Sequence, residues 1–493
     1  MTQIPAPATG TDIPGVITAA DVTEWSDTVD VVVIGFGISG GSAALEAARA
    51  GASVILLERA AEYGGTSSMA GGHFYLGGGT AVQQAVGVED TADDMYDYLM
   101  AVTREIDDET TAKIRAFADD SVEHFTWIEA LGMQFERSFY PHKAVIQPGT
   151  QGLMFTGNEK VWPYKNMARP AARGHKVPKP GDTGGAKIVL DAMADRVAET
   201  SADVRYETGA TNLVVEDGRV VGVAWRRYEE RGVIRAKAVV IAAGGYVGND
   251  AMVAAYTPEL SEKLFPLAST YDDGLGLRLG KSVGGKWRLM DQPFITAPFY
   301  PPEKLVTGIA VNKNGERFVA EDSYHARTSG MVMQQPDRTA YLIVDSEHIE
   351  HPELPLCPFI DGWETIAEME AALDMPQGAL EKTLTEYNKH AANGEDPDFH
   401  KSSDWLEPQD QGPWGAYNMS LGKALYAGFT MGGLQVDRDG RVQREDDSVI
   451  GGLYAAGACA VNIAQDGLGY SSGTQLAEGS YFGRRAGRHA AAL

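Results

Sequence analysis

Hydrophobic residues gather in short runs that end abruptly in glycine. Val29-Asp30-Val31-Val32-Val33-Ile34 is β-branched and almost unbroken, the pattern of a strand buried in a parallel sheet. It runs into Gly35-Phe36-Gly37-Ile38-Ser39-Gly40. An alanine-rich stretch from about Gly40 to Ala50, closed by Gly51, predicts a helix. Ser53-Val54-Ile55-Leu56-Leu57 predicts a second strand that ends on Glu58. The strand-to-glycine pattern returns at Lys237-Ala238-Val239-Val240-Ile241-Ala242-Ala243-Gly244 and at Gly452-Leu453-Tyr454-Ala455-Ala456-Gly457-Ala458. A last helix is predicted from about Thr474 to Ala491, and residues 311–321 read as a strand, an Asn-Gly turn and a return strand. Residues 1–27, with Pro5, Pro7 and Pro14, read as a loose N-terminal arm.

The first strand, helix and second strand form a βαβ unit with dinucleotide-binding chemistry. Gly35 permits the tight turn, Gly37 lets a pyrophosphate reach the helix N-terminus, and Gly40 lets helix and strand pack closely. Glu58 stands near the spacing of about 20 residues expected of a ribose-hydroxyl acceptor. NAD and FAD share this unit. Gly64-Gly65-Thr66-Ser67-Ser68-Met69-Ala70-Gly71-Gly72 offers small residues and hydroxyls that suit backbone lying against a flat ring. An extended FAD needs walls from both chain ends, and the N-terminus of the last helix can face an electron-rich ring edge.

Composition narrows the classes. Lys and Arg number 42 against 68 Asp and Glu, a formal charge of −26, so nucleic acid is not a partner to expect. Two cysteines, Cys357 and Cys459, are too few for a disulfide framework or a cysteine-rich metal site. Cys459 reads as a packed residue and Cys357, between Pro355 and Pro358, as a loop thiol. The apolar runs are far shorter than the roughly 18–20 residues of a membrane span. No Lys or Arg precedes Arg49, so no cationic secretory leader is read and a cytoplasmic enzyme is expected.

The glycine-rich blocks together resemble the fumarate reductase/succinate dehydrogenase flavoprotein superfamily, which includes the 3-ketosteroid dehydrogenases. Asp272-Asp273-Gly274-Leu275-Gly276 and the block from Val311 to Glu321 look like two further family segments. The resemblance implies an α/β fold with an α+β cap: a Rossmann-like FAD-binding domain carrying an inserted, smaller catalytic and substrate domain. The expected layout is 28–292 for the first part of the FAD domain, with a helical insertion at about 90–200. Residues 293–424 form the inserted domain and 425–493 the returning part. Within the insertion, 151–183 is rich in Gly, Pro and cations (Lys160, Lys165, Arg169, Arg173, Lys176, Lys179) and reads as a solvated loop, or as a contact with an acidic neighbouring subunit. FAD contacts are expected from Gly35, Gly37, Ile38, Ser39, Gly40, Glu58, Arg59, Gly65, Thr66, Ser67, Ser68, Ala70, Gly71, Gly72, Ala243, Gly244, Gly457, Ala458, Gly473, Thr474, Gln475 and Leu476. FAD is expected to be non-covalent, because Gly65 stands where the covalent branch has its histidine; His73 falls after the Gly71-Gly72 pair.

The proton-handling residues discriminate within the superfamily. The fumarate reductases have an arginine three residues after the Glu of the RFxxE block, and another in a C-terminal Arg-Leu-Gly-Gly-Asn. Here Tyr324 and Tyr470 stand at those places. Two carboxylates call for guanidinium partners, so a dicarboxylate clamp is not expected, although Arg327 could substitute in part. The resemblance to 3-ketosteroid dehydrogenases implies Tyr324, Tyr470 and Ser472 as catalytic residues. It also implies a 3-ketosteroid substrate, desaturation at C4–C5 and an external electron acceptor. Ser472 would take the C4 proton with Tyr324 as relay, and Tyr470 would orient the pair or hold the ketone; a tyrosine as the direct base fits almost as well. His325 reads as structural, and Phe294, Phe299 and Tyr300 as pocket wall or core. The alternatives are a 1-ene-forming dehydrogenase, a reductase of an α,β-unsaturated acid or ketone, an electron-transfer flavoprotein without catalysis of its own, and an NAD-linked dehydrogenase.

Overall fold

The fold rests on one long strand that serves two halves of a sheet. The computed structural model describes residues 2, 4–5, 8–145, 147–261, 264–300, 302–352, 356–461 and 463–493; Pro7 and Pro355 of the sequence reading lie outside them. The main sheet contains β1 (Ile17–Thr18), β2 (Asp27–Ile34), β3 (Val54–Leu57), β4 (Asp203–Arg205), β5 (Gly209–Glu216), β6 (Arg219–Arg227), β7 (Glu230–Ile241), β8 (Arg441–Gln443) and β9 (Val449–Ala455). Their order is β1-β5-β6-β7-β2-β3-β4, with β9 on β7 and β8 on β9. The first half of β7 pairs antiparallel with β6; its last three residues pair in parallel with β9, and β2 lies parallel along its other side. Val31 to Val33 and Val239 to Ile241 are completely buried, as continuous apolar strands in the middle of a covered parallel sheet must be.

Two helices cover one face of this sheet. The helix Ile38–Arg49, here α1, follows the glycine turn, and the last helix, α2, spans Thr474–Ala491. They pack closely because α2 presents Gly479, Gly483 and Gly487 to α1. A Cβ on Gly483 would lie 2.3 Å from the Ser39 carbonyl oxygen and one on Gly487 2.2 Å from that of Ala43.

A second, antiparallel sheet is made of Ile309–Asn312, Ala340–Val344, Trp414–Asn418 and Phe359–Trp363. Helices Ile366–Ala372 and Ala379–Ala391 bury Met369, Leu380 and Leu384 with Ile309, Val311 and Ile343. These elements fall within 293–424. A smaller sheet of Leu264–Pro266, Tyr426–Thr430 and Pro293–Thr296 lies beside the main cavity.

Three expectations need correction. The end of the N-terminal arm is docked, not loose: Ile17 and Thr18 pair with Val214 and Val215, and Ile17 packs with Val22 and Trp25. The return strand expected before Glu321 is a single bridge, Val311 to Arg317, because the Ile309–Asn312 strand takes Ala340–Val344 as its partner instead. Residues 151–183 are not a solvated loop. Arg173 and Lys176 are fully buried, Arg173 against Asp90 at 2.7 Å and Lys176 donating to the carbonyls of Gly71 and Lys179. Cations in a Gly/Pro-rich stretch signal solvent only when no internal acceptor is near.

Candidate active site

The carboxyl ends of β2, β3 and β7 open on one cavity of about 550 Å³, lined there by Ile34, Leu57 and Ala242. A crevice beyond the carboxyl ends of parallel strands is where such sheets bind ligands. Of the expected cofactor contacts, all but three line it: Gly35, Gly37, Ile38, Ser39, Glu58, Arg59, Gly65, Thr66, Ser67, Ala70, Gly71, Gly72, Ala243, Gly244, Gly457, Ala458, Gly473, Gln475 and Leu476. Gly40, Ser68 and Thr474 do not. Gly40 packs on the turn, where a Cβ would stand 1.8 Å from the Gly35 carbonyl oxygen. Ser68 Oγ donates to the Gly65 carbonyl at 2.9 Å, and Thr474 Oγ1 to that of Ser471 at 2.8 Å. Glu58 accepts from the Phe36 N–H at 2.8 Å and the Ala60 N–H at 2.7 Å. A carboxylate has about four acceptor positions, so these bonds aim it and leave capacity for a sugar hydroxyl. A long slot walled by glycine and small hydroxyl residues from both chain ends fits an extended dinucleotide.

At the far end of the cavity four segments meet. Tyr324 sits at the N-terminus of the helix His325–Val332, and its Oη lies 2.6 Å from Ser472 Oγ. Tyr470 is the next residue of the group, its ring 6.4 Å from that of Tyr324 and packed edge-on against Phe294 at 4.8 Å. Its hydroxyl oxygen accepts from the Gln475 N–H at 3.4 Å. Ser472 is held from both sides by one residue: its N–H donates to the Thr156 carbonyl at 2.8 Å, and Thr156 Oγ1 donates to its carbonyl at 2.9 Å. Gly473 then turns the chain into α2 with φ +98°, a conformation that favours glycine, and a Cβ there would stand 2.8 Å from the Tyr75 nitrogen.

Asn158 ties the corner together and was not singled out from the sequence. It is fully buried. Its Oδ1 accepts from the Tyr324 N–H at 3.0 Å and its own N–H donates to Tyr98 Oη at 2.9 Å. Tyr98 Oη in turn meets Ser471 Oγ at 3.0 Å. The block before Tyr324 is anchored separately. Arg317 holds Glu321 at 2.8 Å and Asp396 at 2.9 Å, and Lys401 stands 3.4 Å from Glu321, all nearly or fully buried. The family block therefore fixes the loop from inside, and Tyr324 is what that loop delivers.

Electrostatically the corner is neutral. Burial, with Tyr470 alongside, raises the Tyr324 phenol well above the usual tyrosine range, and burial raises Tyr470 as well. Both hydroxyls therefore keep their protons near neutrality. Burial holds His325 down at about 3, and His73 at about 3 with help from Lys176. His325 Nδ1 pairs with Thr296 Oγ1 at 2.5 Å, and His73 Nδ1 lies 3.6 Å from Asp182. Among the described residues lining the cavity, Arg59 is the single arginine, and Asp273 holds it at 2.8 Å. Arg327 donates to Tyr164 Oη at 2.8 Å and lines neither this cavity nor the smaller one behind Tyr324. Phe294, Pro298, Leu356, Leu425, Ala427 and Phe429 supply apolar wall. Of the open aromatic assignments, Phe294 lines the main cavity, Tyr300 the smaller one, and Phe299 is core. Cys459 is packed as expected. Cys357 is a buried loop residue whose thiol burial pushes up to about 12.

A family model described as an FAD binding domain matches residues 30–474. The chain belongs to this family, that of the fumarate reductase/succinate dehydrogenase flavoproteins. Among solved flavoproteins, a 3-ketosteroid Δ4-(5α)-dehydrogenase from Rhodococcus jostii, in complex with 4-androstene-3,17-dione, is similar with a TM-score of 0.91 and 35% identity, over 97% of this chain and 100% of that one. A vinyl phenol reductase of Lactiplantibacillus plantarum is 27% identical over 94% of this chain and 97% of its own length. A 3-oxo-5-alpha-steroid 4-dehydrogenase of Comamonas testosteroni is 28% identical over 89% and 94%. The protein is thus an FAD flavoprotein of an oxidoreductase family with both dehydrogenases and reductases among its relatives. Among its described residues no helix is long and apolar enough to cross a membrane.

Proposed function

We propose that this flavoprotein is a 3-ketosteroid dehydrogenase that introduces the C4–C5 double bond into 3-keto-5α-steroids. The observation that carries the reading is the 2.6 Å contact between Tyr324 Oη and Ser472 Oγ at the arginine-free, apolar end of the cavity. A dicarboxylate such as fumarate would meet no cation there. A bulky ketone would find apolar wall and three hydroxyls.

Ser472 takes the proton from C4 and gives its own to Tyr324, since an isolated serine is a poor base without an acceptor behind it. Both phenols are raised above their usual range, so a phenolate as the direct base is disfavoured, and serine with Tyr324 as relay is the order we adopt. Tyr470 accepts from Gln475, which leaves its hydroxyl hydrogen free for the ketone oxygen, where enolate charge develops. A flavin held by the slot residues would supply the redox chemistry, as acceptor of the hydride that C5 gives up. The slot residues from Gly35 to Leu476 hold the cofactor non-covalently, 293–424 acts as the substrate domain, and an external acceptor reoxidises the enzyme.

The test is turnover of 5α-androstane-3,17-dione with an artificial electron acceptor. A new 4-ene absorbance is expected. A 1-ene product, or turnover of fumarate with reduced dye and none of the steroid, overturns the assignment. Bleaching of the flavin by the steroid under anaerobic conditions excludes an electron-transfer protein without catalysis of its own.

A further inference from the structure

Behind Tyr324 and Ser472 lies a second cavity of about 180 Å³. Tyr324, Ser472, His73 and His325 line both cavities, so this group is the partition between them. The chamber runs outward to His142, Lys160 and Asp404, which are exposed. Each water occupies ~30 Å³ in the liquid, so a chamber of this size and polarity takes several.

Asp322 forms part of the chamber wall, two residues before Tyr324, and is 4% exposed. Its Oδ2 accepts from the Ser402 N–H at 3.0 Å, whereas its Oδ1 has no partner in the protein. Buried carboxyl oxygens without partners are costly and call for a function or for water. Charged groups from several segments act on it or share its chamber. Lys143 Nζ donates to its main-chain carbonyl at 2.8 Å, and Lys401 and Glu321 act on it from behind. Glu159, Glu303, His142 and Asp404 face the same chamber. Burial raises the Asp322 carboxyl, against the Ser402 N–H and Lys143, which makes it a better proton acceptor than an exposed aspartate.

We propose that this chamber is the exit for the proton removed from the substrate, and that Asp322 receives it inside the protein. The inference rests on the reading of Ser472 and Tyr324 given above. The C4–H bond breaks and its electron pair stays in the forming enolate. That proton joins Ser472 Oγ as the serine's own moves to Tyr324 Oη. The Tyr324 proton passes through water to the Asp322 carboxylate and then to bulk solvent past His142. The second hydrogen leaves C5 with two electrons as a hydride, for which the FAD of this family would be the acceptor, and the enolate pair closes the C4–C5 double bond. One proton crosses the partition per turnover, and the apolar substrate side stays dry.

Two variants of the holoenzyme test this by different means. Asp322→Asn keeps an oxygen for the Ser402 N–H but removes the acceptor. Ala144→Leu narrows the chamber without touching Asp322, and Asp322→Glu restores a carboxylate. Anaerobic flavin reduction by 5α-androstane-3,17-dione is followed in H2O and in D2O, with flavin absorbance reporting that the cofactor is bound. Asp322→Asn and Ala144→Leu should each reduce the rate about 10-fold, below the 10²–10⁴ typical of a group that meets the reacting proton directly. The solvent isotope effect should rise in both, steroid affinity should hold, and Asp322→Glu should recover most of the rate. Unchanged rates, or slower rates with an unchanged isotope effect, overturn the exit while the steroid reading stands. A parent whose flavin the steroid does not bleach overturns both.

Discussion

The cofactor slot and the chemical corner meet at Gly473, but they are assembled from different kinds of sequence. In the slot, Gly35, Gly37 and Gly40 lie within six residues, and the backbone of one βαβ unit forms its first wall. In the corner, Tyr324 reaches Ser472 across 148 positions and Asn158 reaches Tyr324 across 166. The slot needs small residues so that backbone can come close. The corner needs particular hydroxyls and one amide, held in place by packing from distant segments. Damage should therefore separate: slot variants should lose cofactor, corner variants should lose chemistry with the cofactor in place.

The largest effect belongs to the corner. Tyr324→Phe removes the group that receives the Ser472 proton and keeps the ring in its packing. Steady-state turnover should fall about 10²–10⁴-fold, the usual range for a positioned acid–base group, with an unchanged flavin spectrum. Loss of flavin from this variant would break the comparison.

The slot gives the reverse result. Gly40→Ala puts a methyl 1.8 Å from the Gly35 carbonyl oxygen, and the turn must move. Overpacking of this kind costs about 1–3 kcal/mol. FAD affinity, measured by fluorescence titration of apoprotein, should weaken by about 10- to 100-fold, and turnover at saturating FAD should recover.

This difference also decides what could be read from the residues alone. The strand, turn and helix from Val29 to Arg49 were legible because hydrophobic period and glycine spacing are local signals. Helix α2 was legible to its ends, since Gly473 turns the chain into its first residue. Tyr324, Tyr470 and Ser472 were found through family motifs that carry them. Asn158 and Thr156 carried no such signal. They lie in a Gly/Pro-rich, cationic segment whose composition speaks for solvent, and the bonds that tie them to Tyr324 and Ser472 span 166 and 316 positions. Ser68 and Thr474 have the residue type of cofactor contacts, a hydroxyl in a small-residue run; each donates to a carbonyl of its own local turn.

Asn158→Ala sharpens the point with a smaller change. The Tyr324 N–H loses its acceptor inside the protein, and an unsatisfied buried donor costs about 1–3 kcal/mol. Urea unfolding of the holoenzyme should show that loss. Turnover should fall about tenfold, less than in Tyr324→Phe, because the reacting hydroxyls remain but their backbone is freed. A loss equal to that of Tyr324→Phe would make Asn158 part of the chemistry itself.

The smallest effect is a slope with pH, and a buried acid on α2 should give it the opposite sign to Glu321. Glu478 on α2 is buried, and its Oε2 accepts from the Ile463 N–H at 2.8 Å and the Ala464 N–H at 3.0 Å. Burial outweighs these bonds and raises the carboxyl from 4.5 to about 7. A carboxyl that is raised by folding binds more protons in the folded state, so stability falls as pH climbs from about 4.5 to about 7. At Glu321 burial also pushes upward, but Arg317 and Lys401 outweigh it and lower the pKa, so its contribution is complete above the unfolded value and drains away as pH falls through the folded one. Glu478→Gln keeps an oxygen for both N–H groups and removes the titration. Its unfolding free energy relative to the parent should therefore improve between pH 5 and pH 7, the window set by that raised carboxyl, and stay level above it. An improvement on acidification instead would mean that the folded carboxyl is held ionised by the buried Lys113, as Glu321 is held by Arg317 and Lys401.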